Sequence, residues 1–242
     1  MNLIIDVGNT FVKLAVFHQD SLLHKLVCKP EEISKALENL LNDFPELRKA
    51  ITSKVGRLDA FEIYEIQERF KVIELSSKLK LPFKNLYATP NTLGVDRMAL
   101  VSASVKQFPY KNVLIIDAGT CITYDFVGSK NEYFGGAISP GIRLRYKALH
   151  NLTANLPLLD TEMPNNLIGD STFNSIHSGV VFGAVKEIDG IIEEYQKKYS
   201  DLTVILTGGD ANFLSNQLKN SIFANSNFLL EGLNFILEFN TD

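Results

Sequence analysis

The chain of 242 residues has no tryptophan and only two cysteines, Cys28 and Cys121, which lie far apart in the sequence. This scarcity argues against a disulfide framework or a zinc cluster and is typical of proteins in a reducing compartment. No segment approaches the ~18 unbroken apolar residues that a membrane helix needs. Met1 and Asn2 lead directly into a strand-like segment without a basic leader, so we expect no signal peptide and a cytoplasmic location.

Neither positive nor negative residues are concentrated in any part of the sequence. The formal net charge is −4, and the lysines and arginines are scattered rather than clustered. Nucleic-acid binding normally leaves a basic stripe with aromatic residues between the charges, so we expect no nucleic-acid partner here. Two common phosphate motifs, GxxxxGK[ST] and GxGxxG, are also missing. A protein of this kind that handles phosphate must use local dipoles, a metal ion and a few well-placed cations.

The hydrophobic pattern alternates between strands and helices, which predicts an α/β architecture. With 45% hydrophobic residues, the chain has ample material for a core. The pattern restarts near Tyr110 without a flexible linker, which predicts two closely packed halves at 1–110 and 111–242. Predicted strands cover 2–6, 12–17, 49–55, 71–75 and 201–207, a predicted hairpin covers 112–127, and predicted helices cover 30–44, 58–70, 94–108, 178–199, 211–219 and 227–239.

One unusual turn occurs twice, in "LIIDVGNTFVKLAVF" and again in "LIIDAGTCITYDFV". In each copy an apolar run ends in an aspartate, Asp6 or Asp117, followed by a small residue, a glycine and a threonine within a few positions. A single Asp-x-Gly is common hairpin chemistry. Two copies in a duplicated context favour a pair of phosphate-binding hairpins, each with a carboxylate that could hold hydrated Mg²⁺ against phosphate oxygens. Symmetry alone does not choose between Asp6 and Asp117 for the magnesium.

A lysine follows the first turn closely. Lys13 stands three residues after Thr10, within reach of the same phosphates if the hairpin returns that face towards the turn. The alternative is a solvated lysine on the exposed face of a strand.

The segment "YATPNTLGVDRMAL" places Asp96 and Arg97 at the start of a predicted helix, directly after Gly94 and Val95. An acid in this position often does no more than complement the helix dipole. It also suits a base that orients and deprotonates an acceptor hydroxyl in phosphoryl transfer, where positioning matters more than basicity. Further along, "LTGGDA" follows a strand and forms a glycine turn at Gly208 and Gly209.

Five motifs in this order resemble those of the type III pantothenate kinases, within the acetate kinase, sugar kinase, heat-shock ATPase and actin superfamily. They are "DVGNTFVK", "PNTLGVDR", "DAGTCIT", "GGAISPG" and "TGGDA", and together they extend over nearly the whole chain. The resemblance implies a duplicated ribonuclease H-like fold of the actin-like ATPase type. It also implies ATP-dependent phosphorylation of pantothenate to 4′-phosphopantothenate, the first step of coenzyme A biosynthesis.

The resemblance further implies roles for individual residues, with Asp96 as the general base. Asp6 would hold Mg²⁺, through water or directly, and Asp117 would bind a monovalent cation, K⁺ or NH₄⁺. The implied ATP-binding residues are Asp6, Val7, Gly8, Asn9, Thr10, Phe11, Val12, Lys13, Thr120, Gly208 and Gly209. The implied pantothenate-binding residues are Tyr87, Gly94, Val95, Asp96, Arg97 and Thr172.

Two of these roles involve further structure. Tyr87 is expected to line the pantothenate pocket, although a half-buried aromatic before a loop is an equally good interpretation of its sequence context. Thr172 would reach the substrate across the interface of a homodimer that forms through the Gly135–Gly141 segment. Cys121 is expected to be a small buried residue rather than a nucleophile, and the four histidines show no ligand spacing.

Two other functions compete with this hypothesis. A sugar kinase of the same superfamily is disfavoured by the motif PxxxGxDR and by the small size of the chain. A non-catalytic nucleotide-binding regulator would bind ATP without pantothenate-dependent turnover, and such proteins usually lose Asp96 or Lys13, both of which are present.

Overall fold

A computed structural model describes residues 1–8, 11–54 and 70–241. The chain forms two compact units. The first unit comprises Met1–Pro109, Asn131–Tyr133 and Asn227–Asp242, and the second comprises Tyr110–Lys130 and Phe134–Ser226. The C-terminal segment therefore belongs with the N-terminal part of the chain, which a single division at residue 110 does not anticipate.

The first unit contains a five-stranded mixed sheet in the order β3-β2-β1-β4-β5. Its central strand is buried along its whole length, because its near-continuous apolar run fills both faces. The strands are β1 (Asn2–Val7), β2 (Val12–His18), β3 (Ser21–Cys28), β4 (Lys49–Lys54) and β5 (Lys71–Glu74), with a short β6 (Lys84–Asn85) outside this sheet. Strand β1 pairs antiparallel with β2 and parallel with β4, so Asp6 lies opposite Lys13 on one side and Ser53 on the other.

Helices α1 (Ile33–Asp43), α2 (Val95–Gln107) and a C-terminal helix, Phe228–Phe239, belong to the same unit. The C-terminal helix approaches α2 so closely that a β-carbon added to Gly232 would lie 1.9 Å from the carbonyl oxygen of Ala99. This contact explains why the C-terminal helix joins the first unit: it buries its apolar face against α2 and strands β1 and β4.

The second unit carries the other mixed sheet, whose order begins β11-β10-β7-β8-β9. Its strands are β7 (Val113–Ala118), β8 (Cys121–Gly128), β9 (Glu132–Pro140), β10 (Thr203–Thr207) and β11 (Phe223–Ala224). Its helices are α3 (Ile142–Asn151), α4 (Thr172–His177), α5 (Gly183–Lys198) and α6 (Ala211–Ser215). The C-terminal helix of the first unit, Phe228–Phe239, comes last in the chain and is labelled α7. A π-helical turn at Ser178–Phe182 joins α4 to α5. The first two residues of β9 belong to the first unit, where they pair with β6.

Each sheet contains a copy of the same hairpin. Strands β7 and β8 pair antiparallel with Asp117 opposite Thr123, just as β1 and β2 pair with Asp6 opposite Lys13. The predicted α/β architecture and the repeated hairpin are therefore present in the fold. Strand β3 and helices α3 and α4 were not predicted, and the predicted helix 58–70 lies outside the described residues except for its last position. Within the described parts of the chain, no helix is both long and apolar enough to cross a membrane.

Candidate functional site

The first phosphate hairpin presents Asp6 and Lys13. Asp6 is buried at the end of β1, and its Oδ2 lies 3.3 Å from Lys13 Nζ, whose side chain is 41% exposed. The amide of Gly8 donates to the carbonyl of Phe11 over 3.0 Å and so closes the turn. Asn9 and Thr10 lie outside the described residues.

The remaining residues of this hairpin divide by burial. Val7 and Val12 pair with each other and point into the core, so only their backbone groups are available to a ligand. Phe11 is about half exposed, and its side chain is accessible at the turn. The predicted ATP-binding run thus contains two residues whose side chains serve the fold.

Burial raises the pKa of Asp6 above its usual range. Lys13 lowers this pKa through its charge and hydrogen bond, and the nearby negative charge of Asp96 raises it. Ser53, opposite Asp6 on β4, also lowers this pKa slightly. Its hydroxyl nevertheless has no partner at ordinary hydrogen-bond geometry among the described residues. The net effect is a carboxylate whose charged form the protein alone stabilises poorly.

Asp96 lies in the first turn of α2, which Gly94 precedes as the N-cap residue. The carboxylate folds back to accept a 2.8 Å hydrogen bond from the amide of Arg97. A β-carbon at position 94 would lie 2.5 Å from Asp96 Oδ1, so glycine is the residue that leaves room for the carboxylate in this orientation. Asp96 and Asp6 are electrostatic neighbours, which brings two predicted site residues together in the first unit.

Arg97 is buried and lies against two tyrosines. Its guanidinium carbon is 5.5 Å from the ring centre of Tyr87 and 6.0 Å from that of Tyr133. The two tyrosine rings stack on each other at 6.0 Å, and Phe83 meets Tyr133 edge-on at the same distance. Such contacts hold a cation and fix its direction. Val95, two residues before Arg97 in the sequence, is half buried.

Tyr133 was not identified from the sequence. It is fully buried, and it reaches this cluster because β9 starts beside β6, where its carbonyl accepts from the amide of Leu86 over 2.9 Å. Its only signal in the sequence was an aromatic residue next to the "GGAISPG" motif.

The second phosphate hairpin belongs to the second unit. Asp117 lies near the end of β7, and the amide of Gly119 donates to the carbonyl of Cys121 over 2.9 Å to close the turn. Thr120 is exposed at the tip, as a phosphate contact requires. Cys121 is exposed too, so the expectation of a buried cysteine was wrong: the first residue of β8 points away from the core.

The glycine turn after β10 lies directly on this hairpin. Gly208 has φ +96°, and a β-carbon there would lie 2.4 Å from both the Ala118 carbonyl oxygen and Asp117 Oδ1. The amide of Asp210 donates to the same carbonyl over 2.9 Å. Gly209 is different, because an added β-carbon would meet no described atom within 4 Å.

The two hairpin aspartates are the predicted cation ligands of the site. No group of three or more His, Cys, Asp or Glu side chains suited to a metal occurs among the described residues. Mg²⁺ commonly uses one or two carboxylates and completes its shell with water and substrate phosphates, so Asp6 alone fits such an ion. Asp117 Oδ1 and the Ala118 carbonyl oxygen both lie near Gly208, each 2.4 Å from the position that a β-carbon on that glycine would take.

Thr172 begins α4 and is exposed. It lines a largely apolar groove of about 910 Å³ between α3 and the α4–π segment. The apolar side chains of the groove are those of Ala148, Leu149, Leu152, Leu156, Ile176 and Val180. The second unit therefore offers Thr172 on an open surface.

Comparison with known proteins identifies relatives along the whole chain. The sequence model of the family described as type III pantothenate kinase matches residues 2–194. A type III pantothenate kinase of Christiangramia forsetii is 55% identical over 240 residues, covering 99% of both chains. One of Flavobacterium johnsoniae is 50% identical over 242 residues, covering 100% of this chain and 99% of the other.

Solved structures resemble the fold at much lower identity. A Campylobacter jejuni protein described as a Baf family transcriptional activator has a TM-score of 0.61 at 21% identity, with 98% of each chain covered. A glucokinase from an Antarctic psychrotroph has a TM-score of 0.54 at 12% identity, again with 98% of each chain covered. Together with the two mixed sheets, these likenesses confirm the predicted duplicated ribonuclease H-like fold.

Proposed function

Because this chain belongs to the type III pantothenate kinase family, we propose that it transfers the γ-phosphoryl group of ATP to pantothenate, forming 4′-phosphopantothenate for coenzyme A biosynthesis. The observation that carries the proposal is the arrangement of Asp96, which lies beside Asp6 and next to the buried cation of Arg97. A carboxylate and a cation adjacent in sequence suit an acceptor that has both a hydroxyl and a carboxylate, as pantothenate does.

Asp96 acts as the general base in this proposal. It orients the attacking hydroxyl and takes its proton while the phosphoryl group transfers in line from the donor. Gly94 leaves the space that the Asp96 carboxylate occupies. Val95 contributes backbone groups. Arg97 binds the carboxylate of pantothenate, with Tyr87 lining the pocket beside it. Thr172 contacts the acceptor from a second subunit.

The donor residues come from both units. The run Asp6–Lys13, including Asn9 and Thr10, binds the ATP phosphates, and Thr120 contacts ATP from the second hairpin. Gly208 and Gly209 receive the adenosine. Asp6 would hold Mg²⁺, which would supply positive charge beside the ATP phosphates, and Asp117 would hold K⁺ or NH₄⁺. The proposed location is cytoplasmic, which is consistent with membership of this family.

The direct test measures ADP release with MgATP and either K⁺ or NH₄⁺, with and without pantothenate. We expect release that depends on pantothenate and on a monovalent cation, and 4′-phosphopantothenate as the product by mass spectrometry. ATP binding without pantothenate-dependent release under either cation would refute the kinase and favour the regulator. That second function has one observation behind it, the fold likeness to the protein described as a transcriptional activator. Glucose as a control acceptor tests the sugar-kinase alternative.

Gly209→Ala should weaken ATP binding without disturbing the fold. The added methyl group meets no described atom of the protein, and the residue does not have positive φ, so the melting temperature should stay unchanged. If adenosine packs on this glycine, the methyl group would collide with it and raise the ATP KM roughly tenfold. The measurement is steady-state kinetics with a thermal melt. Gly183→Ala, also in open space, is the matched control, and an unchanged ATP KM would place the adenosine elsewhere.

Tyr133→Leu should impair pantothenate binding more than ATP binding. Removing the ring takes one face away from Arg97 and the stacking partner from Tyr87, so the guanidinium loses its fixed direction. We expect a roughly tenfold rise in the pantothenate KM with a smaller change in the ATP KM. Tyr133→Phe, which keeps the ring, should recover most of the loss. Equal changes in both KM values would indicate general destabilisation instead.

The homodimer is proposed to form through the Gly135–Gly141 segment. Support comes from β9, where two large apolar side chains are exposed, Phe134 at 52% just before the segment and Ile138 at 63% within it. The segment itself is tightly fixed, because a β-carbon at Gly136 would lie 1.5 Å from the carbonyl oxygen of Tyr124. A rigid, apolar strand of this kind suits a two-fold interface.

Ile138→Asp should convert the dimer into monomers. A carboxylate buried against a second copy without a partner is strongly unfavourable. Sedimentation velocity at micromolar concentration should show a dimer for the wild type and a monomer for the variant. Leu23→Asp, which changes an exposed apolar residue of the first unit, should remain dimeric. A monomeric wild type would refute the interface.

A further inference from the structure

We propose that Gly141, Arg143 and Asp210 form a clamp that positions the second phosphate hairpin, residues 117–121, for the nucleotide. The inference rests on the proposed function, since it concerns how the donor side of that reaction is held. The clamp has two arms, one from the segment that leads into α3 and one from the glycine turn after β10. An ion pair joins the two arms.

The first arm is Gly141. Its amide donates to the carbonyl of Thr120 over 3.0 Å, at the tip of the hairpin. A β-carbon at position 141 would lie 2.1 Å from the Gly119 carbonyl oxygen and 2.5 Å from that of Thr120. Both atoms are backbone, so neither can move without moving the turn. Gly141 therefore fixes the position of the Thr120 backbone.

The second arm is the turn at Gly208–Asp210. Gly208 comes close to Ala118 and Asp117, and the amide of Asp210 donates to the Ala118 carbonyl over 2.9 Å. This arm therefore holds the strand end of the same hairpin. The two arms contact opposite ends of one short turn, Ala118 on one side and Thr120 on the other.

An ion pair between Arg143 and Asp210 connects the two arms of the clamp. Arg143 follows Gly141 by two residues, and its Nη2 lies 3.3 Å from Asp210 Oδ1. The Asp210 side chain is 7% exposed, whereas that of Arg143 is 71% exposed. Burial raises the pKa of Asp210, and Arg143 lowers it, so the arginine is what favours the charged form of a buried carboxylate. The ion pair thus connects an exposed arginine near Gly141 with a buried carboxylate of the glycine turn.

The clamp has a functional consequence that a purely structural contact would not have. Phosphate-binding turns act by backbone groups fixed in place before the ligand arrives, and a displacement of about 1 Å can cost a hundredfold in rate. Loosening the clamp should therefore weaken interactions with ATP and leave those with pantothenate intact. The resemblance to the family places Gly141 at a subunit interface and gives Arg143 no role. The clamp is therefore a role for these residues that the resemblance does not imply.

The experiment compares Gly141→Ala, Arg143→Ala, Arg143→Lys and Asp210→Asn by kinetics and by ATP binding measured calorimetrically without pantothenate. Gly141→Ala should raise the ATP KM roughly tenfold or more, and Arg143→Ala roughly threefold to tenfold. In Arg143→Ala the pantothenate KM should stay within about twofold of wild type. Arg143→Lys should restore most of the loss. Lys147→Ala, an exposed cation one turn along α3, and Gly183→Ala should match the wild type.

A double-mutant cycle separates the clamp from direct contact of Arg143 with the nucleotide. If the pair acts as a unit, Arg143→Ala should add little in the Asp210→Asn background. An undiminished effect there would overturn the proposal, as would unchanged ATP binding in folded Gly141→Ala and Arg143→Ala. If Gly141→Ala fails to fold, the arginine series decides alone. If the wild type binds ATP but never phosphorylates pantothenate, the calorimetric arm still judges the clamp, and only the proposed acceptor fails.

Discussion

Asp96→Asn should reduce kcat by roughly 10² to 10⁴ while leaving ATP binding unchanged, because the amide cannot take the proton of the acceptor hydroxyl. The substitution keeps the shape of the side chain and an oxygen that can accept from the amide of Arg97, so the start of α2 should be preserved. Single-turnover measurements should show the loss in the chemical step. The melting temperature should stay within a degree or so of the wild type.

Two comparisons make this result specific. Glu46→Gln removes an exposed acid of the same unit and should leave kcat unchanged. Asp96→Glu keeps a carboxylate but moves it by one methylene group, and it should retain part of the activity. A full kcat in Asp96→Asn would mean that another group orients the hydroxyl, and the assignment of the base would have to be abandoned.

Asp6→Asn should lower activity and raise stability at the same time. The variant loses the carboxylate proposed to hold Mg²⁺ against the ATP phosphates, and we expect kcat/KM for ATP to fall by roughly 10² to 10³. The apo-protein should nevertheless melt at a higher temperature than the wild type at neutral pH. The reason is that burial disfavours the charged form of Asp6 more than Lys13 favours it, so a neutral isostere relieves that cost.

The stability gain should depend on pH with a defined sign. The folded-state pKa of Asp6 is raised, so its contribution to stability is fully present below the unfolded-state pKa and is lost as pH rises through the folded-state pKa. Wild type and Asp6→Asn should therefore have equal melting temperatures at the acid end and diverge as the pH rises. Thermal melts from about pH 3 to pH 8 measure this difference. An Asp6→Asn variant that is less stable than wild type at neutral pH would contradict the expectation.

The sequence predicted the elements that carry the chemistry because their patterns are local. An apolar run that ends in aspartate is buried up to that residue, which is why the sequence alone places Asp6 and Asp117 at strand ends. Gly94 and Asp96 marked the start of α2 for a similar reason, since N-terminal helix residues have a recognisable composition.

Contacts between distant segments were beyond such reasoning. Tyr133 reaches Arg97 and Tyr87 only because β9 pairs with β6, a pairing of two residues that leaves no periodic signal. The exposure of Cys121 depends on which way the first residue of β8 points. The predicted roles of Asn9 and Thr10 stay predictions, as do those of the other site residues.

The family, the duplicated hairpin and the identity of the charged groups could be predicted from the sequence alone. All three depend on residue types at short, fixed spacings. The tertiary structure decided which residues hold those groups in place. Gly141 and Gly208 lie far apart in the sequence, yet both approach the backbone of one turn, and Arg143 and Asp210 join them. Steric exclusion and ion pairing act through space, so only the folded chain reveals them.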